Sequence, residues 1–501
     1  MLTAPTAYDR STWERLATSV QAEGRAFIDG RQVAARDGRT FDDFSPIDGR
    51  LICKVARGDA ADIDAAVSAA RSSFEAGTWR RADPRHRKAV LLRFAELIRA
   101  DTERLAILET LDVGKPIDNS VTVDVANCAT CIAYYAEFAD KLYDEVAPTP
   151  ASDLAVILRE PLGVVAAIVP WNYPLIISAW KIGPALLSGN SVVLKPAEQS
   201  PLSAIRLAEL GSAAGLPPGV LNVVPGYGEE AGQALALHRD VDMVSFTGST
   251  EVGKLMLRYA GDSNLKRVAL ECGGKTPHVV MADADIAAAA EGIAWGIYYN
   301  SGETCHAGSR VIAHASIKDQ LVEAVAGVAR NIRLGYPLDP ATQMGALIDA
   351  GHMRRVLGYI EGGVEAGAKL ALGGRQVMQE TGGYYVEATV LDQVRADMRV
   401  AREEIFGPVL SVMTFEDESQ ALRMANDSIY GLAAAVWTSD MNTAHRMSRA
   451  LRGGTVWVNA FDRSSMATPF GGFGQSGFGR DRSPHAIDKY TDLKTIWTSY
   501  R

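Results

Sequence analysis

The chain has 501 residues and a formal net charge of -9 at pH 7, from 51 Lys and Arg against 60 Asp and Glu. This acidic balance argues against nucleic acid as the main partner. The length predicts two or three domains. The content of hydrophobic residues, 47%, is that of a globular protein, and the longest apolar runs are too short to cross a bilayer. The five cysteines are too sparse for a disulfide framework, so we expect a cytoplasmic protein.

The first fifty residues contain three turn signals, Asp29-Gly30, Asp37-Gly38 and Asp48-Gly49. These turns separate short runs that can form strands, which predicts a small antiparallel lead-in. Apolar residues then recur at helical spacing over residues 63–74 and again over about 87–111. We expect a helix in each of these two segments.

From Gly163 onward, short apolar strands alternate with amphipathic helices, which is typical of βαβ units and of a parallel sheet covered on both faces. The same alternation resumes after Gly273 and predicts a second α/β domain. Two segments fit neither pattern: an extended hairpin from Tyr143 to Glu160 and the C-terminal stretch TDLKTIWTSY. Because exposed strand edges pair with other strands, we expect these segments to form an oligomer interface.

One thiol, Cys305, lies in a loop of small and polar residues, NSGETCHAG at 300–308. A structural cysteine normally packs in an apolar element, as Cys53 in RLICKVA is expected to do. Gly302 and Gly308 would let a ligand approach the backbone, and nearby N–H groups can stabilise a thiolate or an oxyanion. From this segment alone, a nucleophile and an incidental loop cysteine both remain open.

Two polar residues are predicted at the carboxyl ends of strands, where open α/β sheets build their sites. Glu271 ends the strand RVALE, and Asn172 follows the strand VVAAIV within PWNYP. The carboxylate is either an ordinary surface group or a base. The amide is either a turn cap or a donor directed at an oxyanion.

Seven segments carry a resemblance to a known family: PWNYP, LKPAE, FTGSTEVG, LECGGK, the loop at 300–308, EEIFGPV and TPFGGFGQSG. In their order and spacing the chain resembles the aldehyde dehydrogenase superfamily over nearly its whole length. The resemblance implies an α/β fold with a Rossmann-like parallel-sheet NAD domain, a second α/β catalytic domain and a small β oligomerisation arm. The implied boundaries are 1–142 and 162–273 for the NAD domain, 274–474 for the catalytic domain, and 143–161 with 475–501 for the arm and tail.

The resemblance also implies a division of catalytic work. Cys305 would attack the aldehyde, Asn172 and the N–H of Cys305 would hold the oxyanion, and Glu271 would activate the water that hydrolyses the thioester. A glutamate at 271 points to a free carboxylic acid as product, because relatives that transfer the acyl group to coenzyme A usually lack it. Two other classes stay open: a cofactor-independent thioester or ester hydrolase, and a non-catalytic structural protein.

A cofactor site is indicated where the segment 246–253 joins a predicted strand to a helix, because the N–H groups of a helix N-terminus suit a pyrophosphate. A simple βα turn with a Ser cap would have the same sequence. The resemblance implies that NAD binds here, and a carboxylate at Glu198 would disfavour the 2′-phosphate of NADP. The implied cofactor residues are Lys195, Glu198, Gly248, Ser249, Glu404, Phe406, Trp171 and, in a nearby turn, Gly228.

The closest resemblance is to the branch that oxidises ω-aminoaldehydes such as γ-glutamyl-γ-aminobutyraldehyde and 4-guanidinobutyraldehyde. Asp124 and Asp462 match positions in the substrate tunnel and would receive a cationic tail. Ser465, where that branch has another acid, and the neighbouring Arg463 favour instead a neutral, aromatic or carboxylate-bearing aldehyde. The tunnel walls are expected to include Tyr173, Trp180 and Phe470.

Three further features of the sequence have two interpretations each. Cys128 and Cys131 have the spacing of a redox motif, but they lie in a helical stretch without a second pair, so we expect no metal site. Cys272 and His306 either tune the thiol chemistry or point away from it. The resemblance implies a homodimer or a homotetramer.

Overall fold

The computed structural model describes residues 8–500. Eight strands form the first sheet, and its five central strands are parallel. The strands Val164–Ile168 and Ser191–Lys195 are buried along their whole length, as expected for a parallel sheet with helices on both faces. In sheet order the strands are Arg31–Val33, Ala26–Ile28, Leu221–Val223, Ser191–Lys195, Val164–Ile168, Met243–Gly248, Arg267–Cys272 and Gly477–Phe478.

Seven strands form the second sheet, in which an antiparallel edge strand, Lys369–Leu372, precedes six parallel strands. The strand Ala433–Trp437 is fully buried, so this sheet is also covered on both faces. The six parallel strands are, in sheet order, Thr389–Asp392, Val409–Phe415, Arg310–His314, Pro277–Val280, Ala433–Trp437 and Thr455–Val458. These two sheets confirm the predicted α/β fold class.

Most helices lie between successive strands of the two sheets. In chain order the α-helices are Arg10–Ser19, Ala60–Ala76, Pro84–Ala100, Thr102–Val113, Ile117–Asn119, Ala126–Ala136, Pro174–Leu187, Leu202–Ala214, Gln233–Leu237, Thr250–Asp262, Ile286–Tyr298, Lys318–Arg330, Ala350–Glu365, Arg399–Arg402, Glu418–Asn426, Met441–Ala450 and His485–Asp488. Two π-helical turns are Ser120–Val125 and Gly228–Gly232, and 3₁₀ turns are Tyr299–Gly302, Gln379–Thr381 and Gly474–Ser476. Among residues 8–500, no helix is long and apolar enough to span a membrane.

The predicted antiparallel lead-in is confirmed. Ala26–Ile28 pairs with Arg31–Val33 across the turn Asp29-Gly30. Thr40–Phe44 pairs with Leu51–Ala56 in a separate ribbon that contains the turn Asp48-Gly49.

The predicted helix over 87–111 is divided in two at Asp101. The backbone N–H of Asp101 closes the first helix on the carbonyl of Leu97, and its carboxylate accepts hydrogen bonds from Arg206 at 2.8 and 2.9 Å. A second helix then begins at Thr102. Periodicity alone did not reveal the break because apolar residues continue at helical spacing on both sides of it.

A three-stranded antiparallel sheet, the arm sheet, stands apart from the two large sheets. It consists of Thr491–Ser499, Asp153–Pro161 and Glu145–Ala147. The earlier part of the predicted tail lies elsewhere, because Gly477–Phe478 pairs with Leu270 and Glu271 at the edge of the first sheet. A further short pair, Gln376–Val377 with Tyr385–Val386, completes the strands.

Candidate active site

A cavity of about 400 Å³ opens where the carboxyl ends of the first sheet face the loop that carries Cys305. Asn172 and Trp171 follow one central strand, Gly248 ends another and is followed by Ser249, and Glu271 lies at the end of a third. The parallel arrangement brings these strand ends to one edge. The predicted site residues that line this cavity are Trp171, Asn172, Gly248, Ser249, Glu271, Cys305, Glu404 and Phe406.

A second cavity, of about 160 Å³, lies on the other side of Cys305. The predicted substrate residues Tyr173, Trp180, Asp462 and Phe470 line it. Cys305 and Ile177 line both cavities, so the sulfur lies where the two spaces meet.

The loop around Cys305 follows the helix Ile286–Tyr298 and has a compact, left-handed backbone, with positive φ at Asn300, Ser301 and Gly302. A Cβ atom at Gly302 would lie 2.3 Å from the carbonyl oxygen of Gly407, and one at Gly308 would lie 1.9 Å from Nε2 of His278. These glycines therefore make room for neighbouring parts of the protein. The expectation that they make room for a ligand is not met.

The environment of the Cys305 thiol favours its protonated form. Burial raises the pKa of the thiol well above its usual value, and the carboxylates of Glu271 and Glu404 raise it further. A nucleophilic thiolate therefore requires either a base or a change in the surrounding charge.

Glu271 is 4% exposed, and neither of its carboxyl oxygens accepts a hydrogen bond from the described residues. Burial raises the pKa of this carboxyl group to about 7, while the positive charge of Lys181 opposes the shift. Lys181 is itself held by Asp481, with Nζ 2.6 Å from Oδ2. A carboxyl group with a pKa near neutrality is suited to accept a proton from water.

Asn172 is 2% exposed, and its Nδ2 donates a hydrogen bond to the carbonyl oxygen of Glu303 at 2.9 Å. The side chain of Glu303 is fixed in turn, because Oε1 accepts a hydrogen bond from the backbone N–H of Ile348 at 3.0 Å. A side-chain amide has two N–H donors, so one remains for an oxygen bound beside Cys305.

The larger cavity, of about 400 Å³, has features that suit the phosphate groups of a dinucleotide. Ser249 is the N-cap of the 13-residue helix Thr250–Asp262, and its hydroxyl accepts the N–H of Val252 at 3.2 Å. The positive end of this helix faces the cavity beside Gly248.

Three predicted cofactor residues lie outside the lining of this cavity. Lys195 is 3% exposed, and its Nζ lies 2.8 Å from the carbonyl oxygen of Pro196 and 3.5 Å from Oε2 of Glu198. Gly228 is the exposed first residue of a π-helical turn that ends in the buried residues Ala231 and Gly232. That turn contacts Lys195 through Gly232, where a Cβ atom would lie 3.6 Å from Lys195 Cδ.

At the opposite end of the cavity, Oε1 of Glu404 accepts the backbone N–H of Gly274 at 3.1 Å, and burial raises the pKa of this carboxyl group to about 7. A Cβ atom at Gly273 would overlap this carboxylate, so the glycine allows Glu404 to reach the cavity. Phe406 has a positive φ of 61° and lies edge-on to Trp171, with ring centroids 5.2 Å apart. A carboxylate beside an aromatic wall suits a ribose and a planar ring.

Sequence reasoning missed two residues that support this end. Nε2 of His352 lies 2.6 Å from the carbonyl oxygen of Phe406. The guanidinium group of Arg355 donates a hydrogen bond to the carbonyl oxygen of Glu404 at 3.1 Å. Both belong to the helix Ala350–Glu365, which carries none of the recognised motifs. Only the three-dimensional packing of this helix reveals them.

The smaller cavity has aromatic walls and polar groups of both charge signs. The Tyr173 hydroxyl is 2.9 Å from Oγ1 of Thr304, and the rings of Trp180 and Phe470 are 5.3 Å apart. Arg482, which sequence reasoning missed, is 8% exposed and lies over both of these rings, 5.2 Å from the Trp180 centroid and 5.0 Å from that of Phe470. It makes no ion pair within residues 8–500.

Two predicted substrate residues lie away from this cavity. Asp124 is fully buried in a cluster with Glu109 and Lys115, whose Nζ is 2.8 Å from Asp124 Oδ1. The π-helical turn Ser120–Val125 carries it into the protein interior, where Lys115 neutralises its charge. Arg463 is exposed, and only its backbone carbonyl is engaged, by Trp457 Nε1 at 2.8 Å.

Three of the other four cysteines are buried as structural residues, and Cys53 is partly buried in the strand Leu51–Ala56. Cys272 is 2% exposed beneath the helix Thr250–Asp262, and burial raises the pKa of its thiol to about 12. Cys128 and Cys131 are buried in the helix Ala126–Ala136. Within residues 8–500, no group of three His, Cys, Asp or Glu side chains is arranged to hold a metal ion.

Comparisons with known proteins agree with this geometry. A model of the aldehyde dehydrogenase family matches residues 33–496. The chain is 52% identical to the NADP/NAD-dependent aldehyde dehydrogenase PuuC of Escherichia coli (strain K12) over 488 residues, which covers 97% of this chain and 98% of that protein.

Two solved structures are similar over almost the whole chain. An indole-3-acetaldehyde dehydrogenase in complex with NAD+ is 55% identical, with a TM-score of 0.97 over 98% of this chain and 100% of that one. A γ-glutamyl-γ-aminobutyraldehyde dehydrogenase from Burkholderia cenocepacia J2315 is also 55% identical, with a TM-score of 0.97 over 99% of this chain and 100% of that one.

Proposed function

The chain belongs to the aldehyde dehydrogenase family and is an NAD-dependent aldehyde dehydrogenase, and we propose that Cys305, Glu271 and Asn172 are its catalytic residues. The observation that carries this assignment is the position of Cys305, at the meeting point of a large cavity suited to a dinucleotide and a smaller cavity with aromatic walls. This arrangement supports oxidation, because a cofactor-independent hydrolase has no use for the larger cavity. A complete set of three catalytic residues also speaks against a non-catalytic structural role.

The unit built on the first sheet binds the dinucleotide in this proposal, and the unit built on the second sheet supplies the nucleophile. Ser249 and the helix behind it face the phosphates, Glu404 meets the nicotinamide ribose, and Phe406 with Trp171 borders the ring. Lys195 and Glu198 meet the adenosine ribose at the outer end. NAD, when bound, supplies the hydride acceptor.

In the first chemical step, the thiolate of Cys305 forms a bond to the aldehyde carbon. The aldehyde oxygen becomes an oxyanion beside the free N–H of Asn172 and the backbone N–H of Cys305. Asn172 is preorganised for this role because Glu303 already holds its other N–H.

The adduct becomes a thioester once its carbon has lost a hydride, for which NAD would be the acceptor. The following step releases the acid. Glu271 accepts a proton from water, the water oxygen bonds to the thioester carbon, and the carbon–sulfur bond breaks with Cys305 leaving as thiolate. Glu271 and Cys305 both line the larger cavity. This shared position supports hydrolysis to a free carboxylic acid.

Replacing Glu271→Gln removes the base and keeps the size of the side chain. We expect one equivalent of NADH per active site in a rapid burst, followed by turnover slower by about 10² to 10⁴, because the thioester is no longer hydrolysed. In the wild type, turnover should fall as the pH drops through about 7, where protonation of Glu271 removes the base. Stopped-flow absorbance and steady-state pH profiles measure both.

Glu361→Gln, at an exposed position on the helix Ala350–Glu365, serves as the matched control and should behave like the wild type. Steady turnover by Glu271→Gln without a burst would remove Glu271 from the hydrolytic step.

For the cofactor, we propose a preference for NAD over NADP, since Glu198 would lie close to a 2′-phosphate. Glu198→Gln should raise the ratio of kcat/KM with NADP to kcat/KM with NAD by about tenfold. Removal of one repulsive charge beside the 2′-phosphate is worth about 1.4 kcal/mol, which corresponds to this factor. Initial rates with the two cofactors at saturating aldehyde give the ratio. An unchanged ratio would show that Glu198 does not discriminate between them.

The substrate is proposed to be an ω-aminoaldehyde. Its aliphatic stem would lie along the aromatic walls, and Asp462, whose side chain is 52% exposed, would meet the cationic end. The similarity to the γ-glutamyl-γ-aminobutyraldehyde dehydrogenase supports this choice. Arg482 in the same wall favours a tail that carries a carboxylate together with the ammonium group, as a γ-glutamyl group does.

A second candidate follows from Arg482 alone. Because this cation has no carboxylate partner within residues 8–500, an aldehyde that bears only a carboxylate is also accommodated by charge. Asp124 adds no negative charge to the cavity, since Lys115 already neutralises it.

The two candidates separate in a panel of γ-glutamyl-γ-aminobutyraldehyde, 4-aminobutyraldehyde, succinate semialdehyde and hexanal. We expect Asp462→Asn to lower kcat/KM for 4-aminobutyraldehyde relative to hexanal by about tenfold. Arg482→Gln should lower kcat/KM for succinate semialdehyde relative to hexanal by a similar factor. Ratios are compared because any effect on Cys305 common to all aldehydes then cancels.

Arg463→Gln is the matched control for Arg482→Gln, because its side chain is exposed outside the cavity, and it should leave every ratio unchanged. A wild-type preference for hexanal over all three charged aldehydes would discard both charged-tail assignments and leave the catalytic mechanism standing.

We further propose a cytoplasmic homodimer, or a dimer of dimers, with a second copy of the chain covering the arm sheet. The free thiol of Cys305 suits a reducing compartment. The arm sheet has two edges with unpaired backbone groups, and its exposed apolar side chains include Val146, Leu493, Ile496 and Trp497.

Trp497→Glu places a charge beside the exposed Leu493 on one face of the arm sheet and should shift the protein to a smaller species, measured by size exclusion with light scattering. The matched control is Met441→Glu, which is 79% exposed on the helix Met441–Ala450, far from the arm in sequence and outside its sheet. An unchanged mass for Trp497→Glu would argue against the arm sheet as the interface.

A further inference from the structure

His306 lies between the nucleophile and a carboxylate. Its Nδ1 is 3.8 Å from Cys305 Sγ, and its Nε2 is 2.9 Å from Asp462 Oδ1. Neighbours in sequence often point in opposite directions, but here both side chains line the smaller cavity. The three groups therefore form one chain of contacts, from carboxylate to imidazole to thiol.

The contact with Asp462 fixes which nitrogen of His306 carries the proton. A carboxylate only accepts hydrogen bonds, so in the neutral imidazole Nε2 carries the hydrogen and Nδ1 keeps its lone pair. That lone pair is on the atom that faces Sγ. Packing holds the ring in place, with the centroids of Phe470 and Trp457 at 5.5 and 5.9 Å from that of His306.

The Cys305 thiol needs a nearby base to become a thiolate, and the imidazole of His306 is close enough to be that base. Burial and the nearby carboxylate of Glu271 both favour the protonated thiol. Glu271 is assigned to the water in the later step, so a second base beside the sulfur would leave this carboxylate available for hydrolysis. A base on the other side of the sulfur, whose conjugate acid is positive, would stabilise the thiolate as an ion pair.

We propose that His306 is a catalytic base that takes the proton of the Cys305 thiol, and that Asp462 is a positioning residue that orients it; this rests on the proposed role of Cys305 as nucleophile. The S–H bond of Cys305 breaks, its proton forms the Nδ1–H bond of His306, and the products are a thiolate and an imidazolium. The Nε2–H stays on the ring and donates to the Asp462 carboxylate. His306 later returns to the neutral form by releasing the proton to water in the smaller cavity, since its side chain is 15% exposed.

Charged and titratable groups face His306 from several elements. Asp462 comes from the loop after the strand Thr455–Val458, Glu271 from the end of a first-sheet strand, and Arg482 from the C-terminal segment. The cavity that His306 lines also contains the phenol groups of Tyr173 and Tyr299. The proposed ion pair therefore has two carboxyl groups and one guanidinium group in its surroundings.

The test measures the reactivity of the thiol itself. The rate constant for alkylation of Cys305 by iodoacetamide is determined between about pH 6 and pH 10, without NAD or aldehyde, by mass spectrometry of the peptide that contains residue 305. We expect His306→Asn to lower this rate constant by about tenfold or more near neutral pH, with convergence on the wild type at the alkaline end, where the thiol ionises without help. Asp462→Asn should show the same pattern with a smaller loss.

The chain offers a matched control in a second histidine–aspartate pair, His238 with Asp64, whose Nε2 and Oδ1 are 3.4 Å apart. His238→Asn should leave the Cys305 profile unchanged. Thermal unfolding measurements check that each variant is folded. If His306→Asn does not fold, Asp462→Asn still tests the proposal.

Profiles of His306→Asn and the wild type that superimpose would overturn the proposal. A loss of equal size at every pH, the alkaline end included, would also overturn it, because that pattern belongs to a misplaced thiol. No aldehyde takes part in the assay, so a protein that alkylates as expected but oxidises no aldehyde would refute the proposed function and leave only the proton transfer from Cys305 to His306 standing.

Discussion

Hydrogen bonds between two loops hold the geometry of the candidate active site together. Asn172 Nδ2 donates to the carbonyl oxygen of Glu303, and the Tyr173 hydroxyl lies 2.9 Å from Oγ1 of Thr304. The first loop ends a strand of the first sheet, and the second precedes Cys305 in the other α/β unit. Each such bond contributes only about 1 kcal/mol to stability, but the distance from the amide to the sulfur depends on them. A site shared between two units needs this kind of direct connection.

The interior of the site sets the charges of its residues through burial. The carboxyl groups of Glu271 and Glu404 have a pKa of about 7, raised because water is excluded from them. Lys275 is buried close enough to Glu404 for its charge to lower the pKa of that carboxyl group, and burial lowers the pKa of its own ammonium group to about 7. Groups of this kind are close to changing their protonation at neutral pH, so a bound ligand that adds or screens a single charge alters the state of its neighbours.

The strand ends could be predicted from the sequence, and so could the residues that follow them. Asn172, Gly248 and Glu271 each come directly after or at the end of an apolar run, and a parallel sheet brings such positions to one edge. The side-chain partners could not be predicted in this way. Asp124 has the sequence context of a free acid, yet Lys115, nine residues earlier, neutralises it in the interior. Arg482 follows no motif, and its place in the cavity wall depends on a backbone with positive φ at two successive residues.

The meeting of two cavities at one sulfur atom has a consequence for how such a protein can change. The cavities share only Cys305 and Ile177 among the residues that line them, so most of the aldehyde side can be rebuilt without touching the nucleotide side. In the proposed site, substitutions at Trp180 or Arg482 would alter the shape and charge that an aldehyde meets and would leave the nucleotide side unchanged. Asp462 differs from these two residues, because it also contacts His306 beside Cys305. New substrates would therefore be accessible through a few changes in one wall, as long as this contact is kept.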